Sequence, residues 1–154
     1  MANYYTKISF ELLADKVDFP LEDICSIIKA CNDDDIDALP EWIEDKNDFF
    51  DEMFEGWTGI ALAEERDDSG KLTSLVIYSE ETANTGGLAD AIHMVMAHYQ
   101  SKKCIGFQMA FDCSKPRIDA FGGGAVFITA NRVRYFSSGQ WLEQQEQQFL
   151  EEKE

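Results

Sequence analysis

The stretch GIALAEERDDSGKLTSLVIYS, residues 59–79, decides the fold class. Gly59–Glu65 and Lys71–Ser79 read as the two strands of one hairpin. Asp67-Asp68-Ser69-Gly70 links them with good turn chemistry, because an Asp side chain accepts nearby backbone N–H groups and Gly takes positive φ without a steric penalty. Upstream, Tyr4–Leu13 alternates, with Ile8, Phe10 and Leu12 on one face and Lys7, Ser9 and Glu11 on the other, the pattern of a half-buried strand. Asp18-Phe19-Pro20 opens a helix whose Leu21, Ile24, Cys25, Ile28 and Cys31 form one apolar stripe. Pro40 marks a second helix, since Pro suits the first turn; Trp42, Ile43, Phe49, Phe50, Met53 and Phe54 follow, and Gly56 stops it.

Downstream of the hairpin, Gly86 and Gly87 precede a helix over Leu88–Gln100, with Leu88, Ile92, Val95 and Tyr99 turned inward. Ile105, Phe107, Met109 and Phe111 alternate as a strand, and Ala125–Ala130 and Val133–Phe136 are two shorter ones. A last helix covers Gln140–Glu151, capped by Ser137 or Ser138, with Trp141, Leu142, Gln145 and Phe149 inward and a tail to residue 154 that frays. The order β-α-α-β-β-α-β-β-β-α predicts an α+β domain of two layers, a mostly antiparallel sheet with helices packed on one face. At 154 residues the chain reads as a single domain, long enough to bury a core without metal or disulfide.

Charge is distributed unevenly. The chain has 30 Asp and Glu against 13 Lys and Arg, a net charge of −17. Residues 1–70 hold 20 acids and 5 bases, whereas residues 71–154 hold 10 and 8. Within the second part, residues 102–134 carry Lys102, Lys103, Lys115, Arg117, Arg132 and Arg134 against Asp112 and Asp119, so that segment is basic. Such a balance bears on partners and steering. It argues against direct duplex binding, because the body repels phosphate. There is no apolar run of membrane-spanning length and no secretory signal pattern. Cys25, Cys31, Cys104 and Cys113 lack C-x-x-C spacing and read as free thiols of a reducing cytoplasm.

The acid-rich part has several readings. Asp33, Asp34, Asp35, Asp37, Glu41, Glu44, Asp45, Asp48, Asp51, Glu52 and Glu55 crowd the second helix and its approach. On a helix begun at Pro40, Glu41, Glu44, Asp45, Asp48, Glu52 and Glu55 share a face, and like charges at those steps destabilise one another. The plain reading is a solvated polar face. The sharper one is a nucleic-acid mimic, whose rows of carboxylates imitate the phosphates that Lys/Arg grooves bind. A calcium loop is a third: Asp33, Asp35, Asp37, Glu41 and Glu44 match ligand positions of an EF-hand, but Ala38 stands where the turn needs Gly and Pro40 blocks loop pairing.

Cys113-Ser114-Lys115-Pro116-Arg117-Ile118-Asp119-Ala120-Phe121-Gly122-Gly123-Gly124 is long for a hairpin connection, and long loops in compact domains are often functional. Lys115 and Arg117 offer donors to an anion, and three glycines allow close backbone approach or an anion nest. Against that stand a structural bulge or tight crossing under a helix, and pairing of both cations with the acidic body. The P-loop order is absent.

The run CSKPRIDAFGGGAVFIT (residues 113–129), Trp141-Leu142, and Asn3-Tyr4-Tyr5-Thr6 followed by Phe10 resemble a family of small acidic plasmid and phage proteins. The resemblance covers the last third and the first strand, while residues 21–56 carry no comparable signature. It transfers no catalytic residue. It implies a mobile-element setting, in which small acidic proteins often counter nucleic-acid-binding defences.

Catalytic constellations are weak. His93 and His98 are five apart and face different sides of a helix, a poor metal pair. Cys113 is a nucleophile only with a His near it in space. Glu64 and Glu65 alternate across a strand and do not form a pair. No metal site or cofactor is expected. The expected function is an acidic interaction protein that occupies a basic, nucleic-acid-binding protein surface. The alternatives are a small-anion, nucleotide or enzymatic role at residues 113–124, and self-association through exposed Trp or Phe of the second helix.

Overall fold

The computed structural model describes residues 4–54, 57, 59–118 and 120–152. The elements are β1 (Tyr4–Leu13), α1 (Leu21–Asp33), α2 (Lys46–Phe54), β2 (Ala61–Arg66), β3 (Leu72–Ser79), α3 (Thr85–His98), β4 (Ile105–Cys113), β5 (Gly122–Ile128), β6 (Val133–Ser137) and α4 (Ser138–Glu152), with 3-10 turns at Ala14–Lys16 and Ile36–Ala38. The strands form one six-stranded sheet in the order β2-β3-β1-β4-β5-β6, each neighbouring pair antiparallel. The expected α+β architecture and element order are those found. Among the described residues no helix is long and apolar enough to cross a membrane.

Alternation in β1 settles which face is inside. Ile8, Phe10 and Leu12 lie opposite Ser79, Ile77 and Leu75 of β3, and Ile8 lies opposite Met109 of β4. The Phe10 and Phe107 rings stack on this face at 4.6 Å. Helix α1 lies against it: Lys29 of α1 reaches Glu64 of β2 at 2.7 Å. The α1 stripe is wider than its periodicity suggested, since Ile27 and Ala30 are buried along with Leu21, Ile24, Cys25, Ile28 and Cys31. The cause is a second set of neighbours, because α1 also packs on α2, α3 and the 36–38 turn. Each fully buried Leu or Ile here contributes about 1.5–3 kcal/mol relative to exposure.

Side-chain caps set the boundaries where they differ from expectation. Asp34 ends α1 in the left-handed region (φ 51°), with its N–H on Ala30 O. Asn84 caps α3 by accepting from Gly87 N at 2.9 Å, so the helix begins at Thr85 and takes Gly86 and Gly87 into its first turn. A Cβ on Gly87 would lie 2.9 Å from Asn84 Nδ2, so the cap needs glycine there. The hairpin turn is as read: Asp67 Oδ1 accepts from Ser69 N, Ser69 Oγ and Lys71 N, and Gly70 takes φ 86°.

Tyr99, expected inward on α3, is its exposed C-cap, and two larger expectations fail. The second helix starts at Lys46, not Pro40. Asp45 accepts from Asp48 N at 3.1 Å and so caps it, while Trp42 is held elsewhere: its indole N–H donates to Asp23 at 2.8 Å and its ring stacks on His98. That tertiary grip outweighs the local preference of Pro for a helix start. Second, α4 has no buried residue: Trp141, Leu142, Gln145 and Phe149 are exposed, not turned inward. Ser137 does cap α4, accepting from Gln140 N at 3.2 Å, and among the described residues the helix packs mainly on β5 and β6.

Candidate functional site

Folding gathers the acids by a route other than one helical face. Asp33 ends α1, Asp34 follows it, and Asp35 accepts from Asp37 N at 3.2 Å in the 36–38 turn. Glu41 and Glu44 lie in the turn before α2, Asp45 is the cap, and Asp48, Asp51 and Glu52 are on the helix. The single row running from Glu41 to Glu55 is therefore not formed; Glu55 lies outside the described residues. Instead α1, the 36–38 turn and α2 pack against one another, which brings three short acidic segments together. Asp33, Asp34, Asp35, Asp37, Glu41, Glu44, Asp45, Asp48, Asp51 and Glu52 are all exposed.

These carboxylates are scarcely neutralised. Among them only Glu41 has a cation partner within the described residues, Lys46 at 3.4 Å, and the Glu41 carboxylate is 93% exposed, so the pair is weak. Repulsion is felt at Asp48. A hydrogen bond shared with Asp45, then the charges of Asp45, Glu52 and Asp51, raise its pKa above the ordinary carboxylate value. Among the described residues no group of three or more His, Cys, Asp or Glu side chains is placed to hold a metal ion. The EF-hand spacing at Asp33–Glu44 is broken up, as Asp35 caps a turn and Glu41 faces Lys46.

A groove of about 900 Å³ runs beside this face, between α2 and α3. Trp42, Phe49, Met53 and Met94 give it an apolar lining, and Glu52 and Asp90 add carboxylates. Asp23 braces one wall by accepting from both Trp42 Nε1 and Tyr99 Oη. That bond raises the Tyr99 phenol to about 12. His93 lines the groove, and its Nε2 is buried with no hydrogen-bond partner among the described residues. Phe49, Phe50 and Met53 are buried and Trp42 is half-buried. Exposed aromatics lie on β5, β6 and α4 instead.

The 113–124 segment divides in two. Ser114, Lys115 and Arg117 are exposed, and Ile118 at 94% marks a tip that projects into solvent; Asp119 lies outside the described residues. Cys113 is buried at the end of β4, which denies it the access a nucleophile needs. Gly122, Gly123 and Gly124 are not a loop nest. They pair with Phe111, Ala110 and Met109 as the start of β5, and Gly123 N donates to Ser138 Oγ at 3.0 Å. Two of them allow a close approach: a Cβ on Gly124 would lie 2.9 Å from Phe136 O, and one on Gly122 2.9 Å from Ser138 Oγ.

The basic segment also divides. Lys115 and Arg117 sit at one end of the sheet, while Lys102, Lys103, Arg132 and Arg134 meet Lys16 at the other, around a cleft of about 980 Å³. The sequence put these side chains within one segment but not at one place, and Lys16 belonged to a different segment. The missing signal was strand pairing. Ile105 lies opposite Ile128, and Ile128 opposite Val133, which sets the approach to β4 beside the β5–β6 turn. No family model, curated protein or solved structure matches this chain.

Proposed function

We propose that the protein binds a basic protein surface of the kind that grips nucleic acid, presents its Asp33–Glu52 carboxylates in place of backbone phosphates, and so acts as an inhibitor that mimics DNA or RNA. The observation that carries this reading is the exposed, almost unpaired set of carboxylates on three mutually packed segments, with Asp48 shifted by Asp45, Glu52 and Asp51 within the α2 segment. Phosphate-binding grooves recognise such surfaces chiefly by electrostatics. The α2–α3 groove adds to the fit, since an apolar wall edged by Glu52 and Asp90 suits the stem and head of a partner Lys or Arg. The resemblance of residues 113–129 to small acidic plasmid and phage proteins supports a mobile-element setting. Free thiols at all four cysteines support a cytoplasmic one.

The test is capture from host lysate on the immobilised protein, washed through a salt gradient, with duplex DNA as competitor. Nucleic-acid-binding proteins are expected among the captured set, released by salt and displaced by the duplex. The variant carrying Asp48→Asn, Asp51→Asn and Glu52→Gln captures less. Retention through about 1 M salt, where the screening length is about 3 Å, or indifference to duplex DNA, overturns the reading.

A further inference from the structure

Five of the 13 Lys and Arg residues in a chain of net charge −17 line one cleft, and among the described residues no Asp or Glu lines it with them. The ion pairs of the described residues use Lys7, Lys29, Lys46 and Arg66. Lys16, Lys102, Lys103, Arg132 and Arg134 have none among the described residues. Gathering like charges and leaving them unpaired is unfavourable until an anion arrives.

The approach to β4 is held in place from below. Asp18 accepts from Ser101 Oγ and, at 2.9 Å, from Lys102 N. Those bonds lower its pKa, with a smaller contribution from the Lys103 charge. Both carboxylate oxygens are thus engaged with the loop that carries Lys102 and Lys103.

Cations alone accept any anion, and Phe127 narrows the choice. Its ring lines the cleft and is 47% exposed. Gly106 lies opposite it on β4. A Cβ there would touch Phe127 Cδ2 at 3.8 Å, so glycine leaves that edge of the ring free of a side chain from the paired residue. Thr129 and Asn131 add a hydroxyl and an amide group. The volume, about 980 Å³, is at the upper end of small-molecule pockets.

We infer that this cleft is a nucleoside phosphate site, with phosphates among Lys102, Lys103, Arg132 and Arg134 and the base against Phe127. Guanidinium and ammonium groups bind phosphate through charge-assisted hydrogen bonds, and an aromatic face takes any base. The phosphate belongs to a free nucleotide or to a short single strand, and the two are separable by experiment.

Cys104 lines the cleft and is exposed, whereas Cys25, Cys31 and Cys113 are buried, so its alkylation rate reports occupancy in the native protein. The probes are ATP, inorganic triphosphate and a dT strand of about 10 nucleotides, with affinities from calorimetry. ATP is expected to slow Cys104 alkylation about fivefold or more at saturation. The pair Lys103→Ala and Arg134→Ala weakens ATP about tenfold. Phe127→Leu weakens ATP while leaving triphosphate unchanged. The pair Lys115→Ala and Arg117→Ala, at the other end of the sheet, changes nothing. Tighter ATP than dT assigns a free nucleotide, and the reverse order assigns a strand. Thermal melts of these exposed-site variants are expected to match the parent. Three results overturn the inference: neither ATP nor the strand binding at about 1 mM; triphosphate binding as tightly as ATP and both ignoring Phe127→Leu; or the Lys103/Arg134 pair dissociating a dimer without affecting nucleotide, which makes the cleft a contact for a second copy.

Discussion

The glycine run at the head of β5 offers a graded test, because the three positions differ only in what a methyl group would meet. At Gly124 an added Cβ would come 2.9 Å from Phe136 O, a backbone atom fixed in the β5–β6 ladder, and 3.1 Å from Met109 Cγ. The thioether moves and the carbonyl does not, so two strands must part by several tenths of an ångström. Overpacking of this kind costs about 1–3 kcal/mol, partly offset by about 0.4–1 kcal/mol of reduced unfolded-state freedom. The Gly124→Ala variant is therefore about 1–2 kcal/mol less stable than the parent. At Gly123 the nearest atom is Met109 O at 3.6 Å, an ordinary contact, so Gly123→Ala is neutral or slightly stabilising. At Gly122 the obstacle is Ser138 Oγ at 2.9 Å. That hydroxyl can rotate, but only by releasing the Gly123 N–H it accepts, a loss of about 1 kcal/mol. The order from most to least stable is Gly123→Ala, Gly122→Ala, Gly124→Ala. Urea unfolding measures it, and in thermal melts the extremes separate by about 4–8 °C at about 2–4 °C per kcal/mol. Equal losses at Gly123 and Gly124, or a neutral Gly124→Ala, would refute the close-approach account and return these residues to the status of a loop.

Stability should pass through a maximum as pH falls from 7. Repulsion at Asp48, whose folded pKa is raised chiefly through Asp45, is relieved as it protonates, so Tm first rises. Glu64 (bonded by Lys29, then Arg66), Asp112 (by Lys7), Asp18 (by Ser101) and Asp67 (by Ser69) have lowered folded pKa values. Their contribution is present above the ordinary carboxylate value and is lost as pH drops through the folded one, so Tm falls below about pH 4; a steady fall in Tm from pH 7 to 4 contradicts this. On α4, Trp141→Ser and Leu142→Ser should each change stability by no more than about 0.5 kcal/mol, whereas Leu75→Ala in the core costs about 2–5 kcal/mol; comparable losses at the two sites would mean that α4 is covered in solution.

What the sequence made legible was decided by local physics. The 67–70 turn and the alternation of β1 depend on side chains within a few residues of one another, so the sequence alone displays both. The α1 stripe was read too narrow because Ile27 and Ala30 are buried by α2, α3 and the 36–38 turn, neighbours that no periodicity displays. The start of α2 was misplaced because Trp42 bonds Asp23 and stacks on His98, contacts made across the chain. The apolar spacing of α4 resembles that of a buried helix, yet none of its residues is buried. For the site, the acids were visible as composition, but their convergence depends on three segments packing together. The cleft was hidden because Lys16 and Arg134 meet only through strand order.

The acidic face and the cationic cleft imply opposite behaviour toward large and small anions. A duplex approaching this molecule meets the field of a body at −17, which extends about 8–10 Å at physiological salt and further when salt is lowered. Dilution of salt therefore pushes a long polyanion away, even though five cations wait at one end of the sheet. A nucleotide is small enough to lie within a screening length of those five charges, so their local field outweighs that of the body and dilution of salt draws it in. The same protein should then compete with duplex DNA for a basic partner while ignoring the duplex itself and binding its building block. Binding of ATP that weakens as salt is removed, in step with the duplex, would show that the net charge governs both and that the cleft has no field of its own.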